Sequence, residues 1–234
     1  MDERTMRSRM LLGQEAMEKL KRSHVAVFGL GGVGSWCAEA LCRTGIGKLT
    51  LIDSDDVSVT NINRQVCALS STVGRGKTEV MATRLRDINP DGEIIPLRGL
   101  YSADTREEFF RDYDYIVDAI DLVSCKVDLI QTAIERGIPI VSALGTGNKI
   151  DAQKLAICDI SATYGCPLAR VVRKELRARG IEHHTVVFSP EEGIPPLHLE
   201  APPPGRRSVP GSLVWVPASA GLLLCQHVVT ELIK

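Results

Sequence analysis

A glycine-rich turn follows an apolar run near the start of this chain and leaves few folds open to it. The run ends at Phe28, the sequence Gly-Leu-Gly-Gly-Val-Gly follows at residues 29–34, and a helical pattern begins within it. Such a turn joins a strand to a helix and lets the backbone approach phosphate closely. A glycine turn without a ligand is the alternative, but Asp53 closes the next apolar run, where a carboxylate accepts hydrogen bonds from ribose hydroxyls. We therefore expect a nucleotide to contact Gly29, Gly31, Gly32, Gly34 and Asp53.

Strand-like and helix-like runs alternate between residues 24 and 147. The strands are predicted at 24–29, 48–53, 93–98, 114–119 and 138–143. The helices are predicted at 33–44, 76–88, 104–111 and 124–136, after a first helix at 10–22. Alternation of this kind predicts an α/β fold of the Rossmann-like, doubly wound type, with a mainly parallel sheet.

The chain after residue 150 is less regular. We expect residues 1–150 to form the nucleotide-binding domain and residues 151–234 to form an extension that completes the same fold and its substrate face. Eight of the twelve prolines lie between Pro190 and Pro217, which predicts a long surface connection without strand or helix. The apolar run at 221–233 has helical spacing and is expected to pack on the sheet or at a subunit interface.

Size and composition exclude several classes of protein. A chain of 234 residues buries one good core, and a net charge of −1 provides no overall attraction for nucleic acid. No apolar run reaches membrane-spanning length and the first residues are charged, so we expect a cytoplasmic protein. The seven cysteines include no Cys-x-x-Cys pair, which argues against a structural zinc site.

A polar tract after Asp53 indicates which nucleotide chemistry to expect. The tract ends in Asn-x-x-Arg-Gln, which places Asn61 and Arg64 near the edge of the sheet that carries the glycine turn. Lys77 opens the next predicted helix. Fixed cations stabilise the charge that builds on phosphate during nucleotidyl transfer. Either cation alone is best explained as a solvated side chain, but their order behind the glycine turn favours a triphosphate site over a dinucleotide-dependent oxidoreductase or a non-catalytic scaffold.

Two aspartates end the fourth predicted strand. Asp121 is placed to hold Mg²⁺ through oxygen, and the alternative is an N-cap of the helix that follows. Asp118 is a candidate for capping or orienting the loop. Ligands of open parallel sheets bind beyond the carboxyl ends of the strands, so both residues belong to the expected site.

Together these motifs resemble the ubiquitin-activating-enzyme-like, or ThiF-type, adenylyltransferases. The resemblance rests on Gly-x-Gly-Gly-x-Gly, Asp53, Thr-Asn-Ile-Asn-Arg-Gln (60–65), Lys77 and Asp-Ala-Ile-Asp (118–121). It implies that ATP activates a carboxylate as an acyl-adenylate, with Arg64, Lys77 and Asp121 in the reaction. It also implies a homodimer, formed with the N-terminal helix, in which an arginine reaches the neighbour's nucleotide. Arg7 best matches that arginine, with Arg4 and Arg9 close by.

A narrower resemblance covers almost the whole chain and is to the tRNA threonylcarbamoyladenosine dehydratases. The motifs that carry it are Arg-Thr-Gly-Ile-Gly (43–47), Gly-Thr-Gly-Asn-Lys (145–149), Cys-Pro-Leu-Ala-Arg (166–170), Arg-Lys-Glu-Leu-Arg (173–177) and Arg-Arg-Ser-Val-Pro-Gly-Ser (206–212). It implies that the carboxylate belongs to a modified tRNA adenosine, that the same group closes a ring with loss of water, and that a sulfur-relay cysteine desulfurase is a possible partner. The loop at 199–205 departs from the family by being short. Activation of a small ubiquitin-like sulfur-carrier protein is the alternative.

The predicted helix at 167–180 carries a basic stripe that fits a tRNA substrate. Its members stand at i, i+3, i+4 and i+7: Arg170, Arg173, Lys174 and Arg177. A solvated helix face is the alternative.

Cys166, just before this helix, is predicted to be structural, because ring closure needs no thioester. His183 and His184 adjoin a predicted strand at 185–188 and point opposite ways, so they form a poor metal pair.

Overall fold

The protein is built on one seven-stranded sheet with the order β3-β2-β1-β4-β5-β7-β6 in a computed structural model. The model describes residues 3–195, 197 and 209–234. The strands are β1 (His24–Phe28), β2 (Lys48–Asp53), β3 (Glu93–Arg98), β4 (Tyr115–Asp118), β5 (Ile140–Ala143), β6 (Ala156–Asp159) and β7 (Thr185–Phe188). All neighbouring pairs are parallel except β6 and β7. The predicted α/β class, the five strands predicted between residues 24 and 147 and the strand predicted at 185–188 are confirmed.

Eight helices, counted in the described part of the chain, flank this sheet. They are α1 (Met6–Leu12), α2 (Gln14–Arg22), α3 (Gly34–Thr44), α4 (Lys77–Ile88), α5 (Arg106–Phe109), α6 (Val123–Glu135), α7 (Pro167–Arg177) and α8 (Trp215–Leu232). Short 3₁₀ turns lie at Val59–Asn61, Ala152–Lys154 and Ile160–Ala162. Among the described residues, none of the helices combines the length and the apolar character that a membrane span requires.

Strand alternation explains the two-layered core. In β1, Val25 and Val27 belong to one buried cluster, whereas Ala26 and Phe28 belong to the other. Neighbouring residues of a strand point to opposite faces of the sheet, so each strand contributes side chains to both clusters. Helices α3, α4 and α8 cover the first face, and α6 and α7 cover the second.

The N-terminal helix differs from its prediction. Gly13 separates α1 from α2, with φ +84°, in the left-handed region that favours glycine. Its N–H donates to the carbonyl of Arg9 and closes α1. Hydrophobic periodicity runs through the break because α2 buries Met17 and Leu20, so it predicted one helix over 10–22.

The C-terminal part is more regular than predicted. Strand β6 was missed: it lies at the edge of the sheet and buries little of its length. Helix α8 begins at Trp215, six residues before the predicted start, so the prediction that Pro217 lies in a connection is wrong. Proline is tolerated there because the first-turn N–H groups of a helix have no partner within the helix. Residues 196 and 198–208 of the proline-rich tract, which include the short loop at 199–205, lie outside the described residues.

Close packing ties α8 to the glycine turn. A Cβ on Gly221 would lie 2.5 Å from the carbonyl oxygen of Val33. Only glycine lets the two helices approach this closely. The C-terminal helix therefore supports the start of α3 from behind.

Candidate active site: a phosphate cleft at the switch point of the sheet

A cleft of about 1780 Å³ opens at the carboxyl ends of the parallel strands. The strand order reverses between β1 and β4, which is where ligands bind in open α/β sheets. Its walls come from the glycine turn, the polar tract after β2, the loop after β4 and the loop after β5. The sequence-predicted nucleotide residues are largely brought together here: Gly29, Gly31, Gly32, Asp53, Asn61, Arg64, Lys77 and Asp121 all line it.

Three glycines of the turn serve different purposes. Gly29 has φ +88°, and a Cβ there would lie 2.7 Å from the carbonyl oxygen of Ala119. At Gly34 a Cβ would meet the carbonyl oxygen of Gly29 at 1.8 Å, so this glycine lets α3 pack on the strand. Gly31 has open space where its Cβ would be. A phosphate can occupy that space at the start of α3, whose first N–H groups have no partner within the helix.

The carboxylate of Asp53 holds the glycine turn. Its Oδ2 accepts a hydrogen bond from the N–H of Leu30 at 2.6 Å, and its Oδ1 accepts one from the N–H of Asp55 at 2.8 Å. Burial raises the pKa of Asp53, while nearby Lys77 and the two N–H donors lower it. Each carboxylate oxygen has a second lone pair, so Asp53 can also accept bonds from a ribose.

Arg64 is a cation that has no carboxylate partner among the residues the structure describes. Its Nη1 donates to the carbonyl oxygen of Thr60 at 2.8 Å and to Oδ1 of Asn63 at 3.0 Å, both neutral acceptors. Burial lowers the pKa of its guanidinium. A partly buried, unneutralised guanidinium beside the glycine turn is a binding site for an anion.

The polar tract is docked onto α3 by contacts that sequence reasoning missed. The indole N–H of Trp36 donates to the carbonyl oxygen of Arg64 at 3.1 Å. The N–H of Val66 donates to Oγ of Ser35 at 3.2 Å. Asn61 caps its own 3₁₀ turn by accepting from the N–H of Ser58 at 3.1 Å. These bonds fix the backbone of Arg64 relative to the helix that follows the glycine turn.

Lys77 opens α4, as predicted, and is almost fully buried. Its Nζ lies 2.8 Å from Oδ2 of Asp55 and 3.8 Å from Oδ1 of Asp53. The two carboxylates thus hold the ammonium group of Lys77 in place at the cleft. A bound phosphate would compete with them for its three donors.

The two aspartates after β4 have separate roles. Asp118 is completely buried with Lys126 of α6, Oδ2 to Nζ being 2.6 Å, and its Oδ1 accepts from the N–H of Ile120 at 3.0 Å. Asp118 therefore orients the loop after β4, which is one of the two roles predicted for it. Its ion pair with Lys126 was not predicted. Asp121 is exposed in the cleft, and the N-cap of α6 is Leu122 without a side-chain cap.

Arg7 is exposed on α1 and is not part of the cleft that these described residues form. Arg4 forms an ion pair with Asp91. Both observations concern a single chain, so the role of Arg7 across a dimer stays a prediction.

The basic stripe on α7 is uneven. Arg170, Lys174 and Arg177 are exposed, and the opposite face buries Val172 and Leu176. Arg173 instead turns back to the chain, where its Nη1 donates to the carbonyl oxygen of Thr163 at 2.8 Å. Its guanidinium stabilises the turn before α7, so Arg173 is less available to a phosphate than the three exposed cations of the stripe.

Cys166 and the histidine pair occupy unlike environments. Cys166 is buried at the start of α7 and faces the cleft. His184 is buried and its Nε2 lies 2.8 Å from Oγ of Ser142, whereas His183 is exposed beside Asp159. The described residues contain no group of three or more side chains suited to hold a metal ion.

Fold and site together define a nucleotide-binding α/β protein whose cleft is built for phosphate. The chain belongs to the ThiF family, whose model matches residues 4–234. The resemblance predicted from the motifs is therefore confirmed.

Three relatives show where in the family the chain lies. It is 44% identical over 239 residues to the tRNA threonylcarbamoyladenosine dehydratase of Bacillus subtilis, covering 97% of this chain and 94% of the relative. Its fold matches that of the Escherichia coli dehydratase TcdA in complex with ATP, with a TM-score of 0.88, 36% identity and coverage of 98% and 93% of the two chains. The adenylyltransferase and sulfurtransferase uba4 of Aspergillus clavatus is 35% identical over 132 residues, which are 56% of this chain and 27% of that protein.

Proposed function

We propose that this protein is an ATP-dependent tRNA threonylcarbamoyladenosine dehydratase. It activates the carboxylate of the threonylcarbamoyl group as an acyl-adenylate, and the group then closes a ring. The observation that carries the proposal is the unneutralised guanidinium of Arg64 beside the glycine turn. The similarity to the Bacillus subtilis and Escherichia coli dehydratases, which extends over almost the whole chain, supports the choice of substrate.

The residues of the cleft fit ATP. Gly31 leaves room for a phosphate, Asp53 accepts from the ribose, and Arg64 and Lys77 provide positive charge for the triphosphate. Asp121 would hold Mg²⁺ together with phosphate oxygens, because Mg²⁺ is commonly bound by one or two carboxylates plus substrate phosphates. When bound, Mg²⁺ would neutralise part of the charge on the leaving pyrophosphate.

Two bond exchanges follow. A carboxylate oxygen of the substrate attacks the α-phosphorus of ATP and pyrophosphate leaves. A nitrogen or oxygen within the same group then attacks the activated carbonyl carbon, loses its proton, and AMP leaves. Arg64 and Lys77 stabilise the charge that develops on phosphate in the first exchange. The net change in the tRNA is the loss of one water.

The proposal extends to the assembly. The protein acts as a homodimer in which Arg7 reaches the nucleotide of the neighbouring chain, and the exposed cations of α7 contact tRNA phosphates. Arg170, Lys174 and Arg177 are well placed for this because they share one exposed face. A sulfur-relay cysteine desulfurase remains a proposed partner. Activation of a sulfur-carrier protein fits less well, since the match to uba4 covers 27% of that protein.

The test is mass spectrometry of nucleosides from threonylcarbamoylated tRNA that has been incubated with the protein and ATP. We expect a nucleoside that has lost one water. An ATP analogue with a methylene between the α- and β-phosphorus should not support product, whereas one with an imido group between β and γ should, because only the first blocks the bond that breaks. Arg64→Ala should slow product formation about 10²-fold or more, whereas Arg75→Ala, which alters an exposed arginine outside the cleft, should not. Product formed equally well without ATP would refute the proposal.

A further inference from the structure

Lys149 is a buried cation that the nucleotide site does not use. It follows β5 at the end of the loop Gly-Thr-Gly-Asn-Lys, is 5% exposed, and lines the cleft. Its Nζ donates to the carbonyl oxygen of Ser189 at 2.5 Å. An ammonium group has three donors, so two remain for another acceptor.

The charge of Lys149 is not neutralised. Glu191 is the carboxylate whose charge raises the pKa of Lys149, but its two oxygens accept hydrogen bonds from the N–H groups of Ile150 and Asp151, each at 3.0 Å. Within the described ranges Lys149 forms no ion pair within 4.0 Å. Burial lowers the pKa of Lys149, and Glu191 and Cys166 partly offset this effect. A buried charge without a counter-ion is costly, and a ligand that supplies the opposite charge removes that cost.

The wall that carries Lys149 is held rigidly by its neighbour. Asn148 has φ 60°, the one non-glycine residue with positive φ in the described chain. Its N–H donates to the carbonyl oxygen of Gly211, its Oδ1 accepts from the N–H of Gly211, and its carbonyl accepts from the N–H of Ile194, each at 2.7 Å. Three segments meet at this residue, and the position of Lys149 in the cleft is fixed by them.

From this geometry we infer that Lys149 binds the carboxylate of the threonylcarbamoyl group and holds it against the nucleotide. The inference rests on the proposed function and adds the residue that receives the second substrate. Adenylation brings a carboxylate to a triphosphate, and the two anions repel each other. Arg64 and Lys77 offset the negative charge of the triphosphate. Lys149 lies on the wall after β5 and offsets the charge of the carboxylate.

Binding of two forms of one tRNA isolates this contact. The dissociation constants are measured for threonylcarbamoylated tRNA and for the same tRNA with unmodified adenosine, in the presence of the α,β-methylene ATP analogue so that no turnover occurs. Wild type should prefer the modified tRNA. In Lys149→Met the affinity for modified tRNA should fall by roughly 30-fold or more, as expected for loss of one partner of a buried charge pair. Its affinity for unmodified tRNA and for the ATP analogue should not change.

Lys149→Gln separates charge from structure, because glutamine keeps an N–H donor for Ser189 but no charge. Like Lys149→Met, Lys149→Gln should no longer prefer modified over unmodified tRNA. If Lys149→Gln still prefers modified tRNA, the hydrogen bond to Ser189 is sufficient and the inference is overturned. Lys154→Gln, an exposed lysine outside the cleft, is the matched control and should behave as wild type. If wild type dehydrates tRNA but Lys149→Met keeps the preference, the inference fails alone. If wild type neither prefers modified tRNA nor forms product, the proposed function fails with it.

Discussion

Acid sensitivity of the fold should depend on His184. The imidazole is 6% exposed and lies against Ser142, 2.8 Å from Nε2 to Oγ. Burial, together with the nearby charge of Lys126, lowers the pKa of His184 from 6.5 to about 3, while Asp159 raises it slightly. The folded protein therefore keeps this histidine neutral at pH values where the unfolded chain protonates it.

The sign and size of the effect follow from this difference in pKa. Above pH 6.5 both states are neutral and His184 has no effect on stability. Below it the unfolded state binds a proton that the folded state does not, so the free energy of unfolding falls by about 1.4 kcal/mol per pH unit until the pH approaches 3. Between pH 8 and pH 5 the loss from this one residue is about 2 kcal/mol.

Urea denaturation at pH 8, 6 and 5 measures this loss. His184→Gln keeps a hydrogen-bonding side chain but does not titrate, so its free energy of unfolding should fall by about 2 kcal/mol less than that of wild type between pH 8 and 5. Buried or paired groups elsewhere titrate equally in both proteins and cancel in the comparison. His183→Gln alters the exposed neighbour and should follow wild type. Equal losses in wild type and His184→Gln would refute the reasoning.

Four further predictions concern the cleft, the dimer and helix α7. Arg64→Ala should lower the rate of dehydration about 10²-fold or more, because it removes a preorganised charge, and near-normal turnover would contradict this role. Arg7→Ala and Asp121→Ala should each be inactive alone and recover activity when their subunits exchange, since some mixed dimers then contain one intact site; demonstrated exchange without recovery would place Arg7 outside the neighbour's site. Arg177→Gln should lower the slope of log affinity for tRNA against log salt by about one. Arg173→Gln should leave that slope unchanged. It should instead lower the free energy of unfolding, measured by urea denaturation, by about 1.5 kcal/mol, since it removes a charged hydrogen bond to a carbonyl oxygen. A lower salt slope with unchanged stability would mean that Arg173 contacts tRNA as part of the basic stripe.

Local sequence signals were sufficient where neighbours in the chain determine the structure. Periodicity located the six parallel strands, and the glycine turn with Asp53 predicted where in the cleft a nucleotide binds. Periodicity failed at Gly13, because a left-handed residue changes the direction of a helix without interrupting its apolar pattern. It also missed β6, whose side chains are mostly half-buried, so its pattern is weak.

The fold class, the family and most of the residues that line the cleft could be predicted from the sequence, because each depends on residue types at short and regular spacing. Which cations have a neutralising partner became evident from the folded structure alone. Asp118 and Lys126 are paired inside the core, Arg173 braces a turn, and Lys149 is buried without a counter-ion. Burial and ion pairing depend on segments far apart in the chain, and no local pattern encodes the distances between them.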